Sequence, residues 1–190
     1  MVSIEPGNRE DLPGSLTEPP RDIVVIGASR GGVEALRGIV AALPPDLQST
    51  LLIVLHISPT HASLFPERGR IYVAPPDHHM TVGPIGFIRL DQGPKEHHTR
   101  PAADPLFRSA SIYGARVIGI ILTGGGSDGT RGLIAVEQAG GLAIVQDPGD
   151  ARDPSMPRSA LLDDNPDLCL PLSEIPGVII RLSSVSQESA

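Results

Sequence analysis

The sequence predicts an α/β fold: a mostly parallel, doubly wound sheet with helices on both faces and a small antiparallel hairpin appendage. Three observations predict it. Residues 23–26 (IVVI), 51–55 (LLIVL) and 117–122 (VIGIIL) are short apolar runs rich in β-branched residues, the composition of strands buried on both faces. Glycine-rich turns, 27–32 and 124–126, follow the first and third of them. After each turn, apolar residues recur at helical spacing.

Taken in order, residues 1–21 are acidic, rich in proline and without an apolar segment, and are expected to be a disordered tail. The run 23–26 is the first strand. Val33, Leu36, Ile39, Val40 and Leu43 mark one face of a helix that Pro44 and Pro45 end. With strand 51–55 these elements make a right-handed βαβ unit. Thirteen residues, 57–69, then separate His56 from the next apolar run, and Pro59 and Pro66 leave little room for a crossover helix. The next strand is therefore expected to run antiparallel to its neighbour, unless a segment has been lost. The short alternating runs 70–74, 79–82 and 86–90 read as antiparallel strands or hairpins. A helix over 103–113, strand 117–122, a helix over 129–139 and strand 143–145 form a second unit. A short helix over 156–162 and a last strand near 167–170 precede a polar tail, 183–190. One domain, 22–182, is expected.

Composition removes several functions. Fifteen Lys and Arg against 22 Asp and Glu leave a net charge of −7, and aromatic residues are 3% of the chain with no Trp. Neither an electropositive field nor stacking platforms are at hand for nucleic acid. No run of about 18 apolar residues exists, so no direct membrane insertion is expected. The single Cys169 suits a reducing, cytoplasmic setting and is expected to be a buried apolar group.

In open α/β sheets ligands bind beyond the carboxyl ends of the strands. Ser29, His56 and the loop reaching Asp128 occupy three such ends. A hydroxyl, an imidazole and a carboxylate are the parts of a serine-hydrolase triad: nucleophile, base and orienting acid. Gly27 to Gly31 also fits G-x-S-x-G, in which small neighbours permit a tight strand-to-helix turn. On the pattern alone, a phosphate-cradling turn accounts for these residues equally well, as does a plain helix cap at Ser29. Against a nucleotide site, strand 51–55 closes on His56 where a ribose-binding acid is wanted, and no Tyr-x-x-x-Lys or P-loop Gly-Lys-Ser/Thr is present. All six histidines precede residue 99, which excludes the order Ser, acid, late His and leaves Ser, His, Asp.

These residues, with VIGASRGG around Ser29, RIYVAPPDHHM (70–80), RPAADPLFRSA (100–110), IILTGGGSDGT (120–130), QDP and MPRSA (146–160), resemble the catalytic domain of the CheB-type protein-glutamate methylesterases of chemotaxis over about residues 22–177. The resemblance implies Ser29 as nucleophile, His56 as base and Asp128 as triad carboxylate, with Arg30, Gly125 and Met156 at the oxyanion hole or site rim. It implies hydrolysis of glutamate methyl esters, and deamidation of glutamines, on the cytoplasmic helices of methyl-accepting chemoreceptors, with no cofactor. Where the family commonly has Thr after the serine this chain has Arg30, and where it has Met in the glycine loop this chain has Gly125. The stretch between His56 and Arg70 is shorter than the family pattern by about a helix and a strand. Such enzymes commonly carry a receiver domain, which 21 tail residues cannot hold, so regulation is expected to be absent, supplied by a receiver-domain partner in trans, or lost with a larger parent chain. A catalytically weak receptor-binding adaptor and a nucleotide-binding module are the alternatives.

Of the remaining candidates, the pairs His78/His79 and His97/His98 are expected to be solvated turn residues, not metal ligands, because adjacent histidines point different ways. His61 is expected at the surface, Asp104 as a helix-cap partner or site rim, and Asp147 as a turn stabiliser.

Overall fold

The structure is a computed structural model that describes residues 20–56, 68–163 and 165–184. Eight strands and five α-helices follow one another along these residues: β1 (Ile23–Ala28), α1 (Gly32–Ala42), β2 (Thr50–Leu55), β3 (Ile71–Val73), β4 (His79–Val82), β5 (Ile88–Asp91), α2 (Ala103–Ala110), β6 (Val117–Ile121), α3 (Thr130–Gln138), β7 (Leu142–Gln146), α4 (Ser155–Asp163), β8 (Leu168–Leu170) and α5 (Ile175–Ser183). A 3-10 segment, Ser111–Arg116, broken at Gly114, links α2 to β6.

The main sheet has the order β3-β2-β1-β6-β7-β8, and every pairing in it is parallel. Alternate side chains feed two cores. Val24, Ile26, Ile118, Ile120 and Ile144 pack with α1 and α5 on one face. Val25, Val117, Ile121, Ala143 and Val145 pack with α2, α3 and α4 on the other. Burial on both faces is why these strands read as unbroken apolar runs. Chain order reverses between β1 and β6, which opens a crevice at their carboxyl ends, where Ser29 and Thr123 follow. A cavity of about 520 Å³ lies at the opposite end, among Ile23, Thr50, Arg68, Tyr113 and Arg116, away from that crevice.

Several expectations need correction. Strand β3 is parallel to β2, with Leu51 beside Ile71 and Ile53 beside Val73. The fifteen residues from His56 to Arg70 are enough for the dozen or more that a parallel return requires, even with two prolines in the stretch. Among the described residues, the antiparallel hairpin is formed by β4 and β5. Helix α5 was not foreseen; its Pro176 stands in the first turn, where proline is favoured. Arg21 and Ser183, assigned to the tails, are buried, and Arg21 N–H donates to Leu182 O at 3.3 Å. Cys169 is exposed on the edge strand β8. The rest of both tails, and His61, lie outside the described residues. Among the described residues no helix is long and apolar enough to cross a membrane.

Candidate functional site

Three strand ends and one helix start build the site. Ser29 leaves β1 in a turn whose next residues must bend sharply into α1. Gly31, the α1 N-cap, has φ +83, and a Cβ there would stand 2.9 Å from Arg152 Cβ, so glycine is required twice over. The turn is held from below by Thr123. The Ser29 N–H donates to Thr123 O at 3.0 Å, and the Thr123 hydroxyl donates to Arg30 O at 2.9 Å while accepting the Asp153 N–H at 2.8 Å. One buried threonine thereby ties together the loops after β1, β6 and β7. Gly124 lies directly under the serine: a Cβ would come within 2.8 Å of Ser29 Cβ and run into Met156 Sδ.

His56 closes β2 beside the end of β1, its N–H donating to Ala28 O at 3.4 Å. Its Nε2 lies 3.2 Å from Asp128 Oδ2, with the two side chains 15% and 2% exposed. The approach is close but off-axis, so this buried nitrogen makes no well-aligned hydrogen bond. Ser29 and His56 thus stand at adjoining strand ends at the reversal point of the sheet, and Asp128, from the loop before α3, brings its carboxylate against the imidazole.

Asp128 is placed by the start of α2. Its Oδ2 accepts the Ala103 N–H at 2.6 Å and its Oδ1 the Asp104 N–H at 3.1 Å. Helix α2 has no side-chain cap of its own, since Ala102 stands at its N-cap; the carboxylate comes from the loop before α3. The reverse also holds. Helix α3 begins at Gly129, which caps nothing, and Asp104 of α2 accepts the Gly132 N–H at 2.7 Å. Each helix start is therefore closed by an acid from the other. Burial is the largest influence on Asp128 and pushes its pKa up, but the His56 imidazole and the two helix N–H groups outweigh it and hold the carboxyl below its usual range.

Arg30, Gly125 and Met156 each have a definite neighbour. Arg30 is 76% exposed and reaches Asp153 Oδ2 at 3.2 Å. The Ser155 hydroxyl and N–H, then the Arg30 charge, hold Asp153 low. A Cβ on Gly125 would meet the same Asp153 oxygen at 3.3 Å. Met156 is fully buried and donates its N–H to Gly124 O at 2.9 Å, so it supports the glycine loop from inside.

Not all histidines are solvated. His79 is buried, paired through Nε2 with Pro94 O at 2.9 Å and accepting the Ala102 N–H at Nδ1. His97 touches buried Asp104 at 2.6 Å. Adjacency in sequence hides the first case, where the turn buries His79 and leaves His78 half-covered; His97 and His98 both remain exposed. His97, Asp104 and Asp128 place ligand-type atoms within 4.8 Å of one another, yet both carboxylates already accept helix N–H groups. Asp147 stabilises its turn by accepting the Gly149 N–H at 2.7 Å. Thr123 and His97 were missed from sequence; a threonine heading the glycine turn was the only signal for the first.

Fold and site together define a doubly wound α/β protein with a serine, an imidazole and an acid at the reversal point of its sheet. The sequence profile of the family described as CheB methylesterase matches residues 24–68 and 66–179. The chain belongs to that family. It is 34% identical over 187 residues to a protein-glutamate methylesterase/protein-glutamine glutaminase of Pyrococcus abyssi, covering 86% of this chain and 51% of that protein. A putative protein of the same description from Leptospira interrogans is 34% identical over 188 residues, covering 88% and 97%. The crystal structure of the Thermotoga maritima CheB methylesterase catalytic domain superposes with a TM-score of 0.78 at 30% identity, covering 85% of this chain and 98% of that one. The chain spans about half the length of the Pyrococcus relative.

Proposed function

We propose that this chain is a serine-dependent esterase that hydrolyses glutamate methyl esters, and deamidates glutamines, on the cytoplasmic helices of a chemoreceptor. The observation that carries the reading is the His56 Nε2 to Asp128 Oδ2 approach of 3.2 Å, one strand away from Ser29. With Nε2 turned to the acid, Nδ1 is the ring nitrogen left to take the Ser29 proton. Ser29 Oγ attacks the ester carbonyl as His56 accepts its proton. His56 returns that proton to the departing methoxide, which leaves as methanol. Water, deprotonated by His56, then cleaves the acyl-enzyme to give glutamate and free Ser29. Asp128, kept ionised by its helix N–H groups, stabilises the imidazolium in both steps.

The developing oxyanion needs donors that are not already engaged. The Ser29 and Gly124 N–H groups are taken by Thr123 O and Asp153 O. The N–H groups of Arg30, Gly31 and Gly125 have no backbone acceptor among the described residues and flank the serine, which makes them the candidate oxyanion hole. One such donor is worth about 10²- to 10³-fold in rate.

The test is release of labelled methanol from a methyl-esterified receptor fragment by the purified chain. Turnover that Ser29→Ala abolishes supports the reading. Saturable binding to the fragment without turnover in the wild-type chain would replace it with an adaptor, the second reading that the off-axis imidazole and the exposed Arg30 guanidinium favour.

A further inference from the structure

A second imidazole–carboxylate pair stands behind Asp128, and the reaction as written leaves it idle. His97 lies in a four-residue turn closed by Glu96 N–H to Thr99 O at 3.2 Å and Thr99 N–H to Glu96 O at 2.9 Å. Both central residues are left-handed, with φ 49 at His97 and 64 at His98, where glycine and asparagine are usual. Such backbone persists where surrounding structure over-determines it, and here it does. Arg108 of α2 grips Glu96 through two bonds, 3.0 and 2.6 Å. The turn delivers His97 Nε2 to Asp104 Oδ2 at 2.6 Å, the imidazole 30% exposed and the acid fully buried. The other Asp104 oxygen holds the Gly132 N–H, and the Asp104 N–H holds Asp128. A continuous path of close polar contacts therefore runs from a partly exposed imidazole to the one beside the nucleophile.

We propose that His97 is a positioning residue: its imidazole keeps Asp104 a carboxylate clamped on the α3 start, and Asp104 in turn holds Asp128 aimed at His56 and adds negative charge behind that pair. This rests on the Ser29–His56–Asp128 reading for its catalytic consequence. Burial is the strongest influence on Asp104 and drives its pKa up; Gly132 N–H and His97 oppose that, and the Asp128 charge adds to it. Without His97, Asp104 takes up a proton more readily. A neutral Asp104 leaves the His56 imidazolium with less negative charge behind it, so proton transfer from Ser29 to His56 is slower. The groups facing His97 are Asp104 and Arg108 from α2, Ser127 and Asp128 from the loop before α3, with Ser127 Oγ 3.5 Å from Nδ1, and Glu96 of its own turn. His56 faces Asp128 from the far side.

The experiment follows the Asp104 carboxyl resonance of the full chain against pH by ¹³C NMR in wild type, His97→Ala and His97→Gln, with kcat and KM on the methyl-esterified receptor fragment for these and for Asp104→Asn. His97→Ala should move the Asp104 titration further up, and both His97→Ala and Asp104→Asn should lower kcat about tenfold with KM within about twofold. His97→Gln, whose amide N–H can still reach Asp104, should restore the titration and much of kcat. A His97→Ala chain that melts earlier but keeps the wild-type Asp104 titration and kcat overturns the proposal and makes His97 a surface clasp. Should His97→Ala fail to fold, His97→Gln decides on both readouts and Asp104→Asn on kcat. Absence of turnover in the wild type would sink the esterase reading alone, because the titration still answers for His97.

Discussion

Ser29 and His56 directly follow β1 and β2, and Asp128 lies in the loop between β6 and α3; strand ends are where a parallel sheet presents chemistry, which is why the sequence points to them. What sequence did not convey is how they are held, since Thr123 and Asp104 act across the fold on partners 24 to 93 positions away. Substitution at the glycines tests the holding directly. Gly124→Ala would push a methyl group into Ser29 and Met156; methanol release should fall at least about tenfold while circular dichroism stays native. Gly31→Ala, forced to φ +83, should lower stability by about 1–2 kcal/mol in urea titration. Arg30→Thr removes an exposed ion pair worth at most about 1 kcal/mol. Its melting temperature should stay close to wild type, while the salt dependence of KM for an acidic receptor fragment flattens.

Among elements, α2 and α3 matter most, because each supplies the acid that closes the other. Asp128→Asn keeps an acceptor for the Ala103 N–H but loses the charge. Its kcat should fall about 10⁴-fold, as expected when an imidazole loses its orienting carboxylate, with a stability loss of about 1–2 kcal/mol by denaturant melt. The two helices themselves were legible from spacing; their crossed caps were not, because Ala102 and Gly129 give no capping signal and the acids that serve them are distant in sequence. Strand β3 was misread for a related reason. Pairing direction depends on where the chain travels between strands, and prolines in a connection do not set that. Helix α5 went unpredicted; it is its docking on β1 and α1 residues that makes this short segment a helix.

For the whole molecule, the two buried acids act on stability in opposite senses. Asp128 sits below its usual pKa, so the stability it contributes is present above the unfolded value and is lost as pH falls through its depressed folded value. Asp104 sits above its usual pKa; ionised, it costs stability at neutral pH, and that cost is relieved as pH falls through its raised folded value. Melting temperature followed downward from neutral pH should therefore hold or rise slightly before it drops. Asp104→Asn should erase the first phase and Asp128→Asn should soften the second.

Crossed acids also dictate how this end of the protein breathes. Neither helix start can fray by itself, because the carboxylate that leaves one is anchored in the other; the amides of Ala103, Asp104 and Gly132 should accordingly exchange with deuterium at one shared rate. Every such opening frees Asp128 from its seat, so a solvent isotope becomes a counter of the molecules that are momentarily unable to turn over.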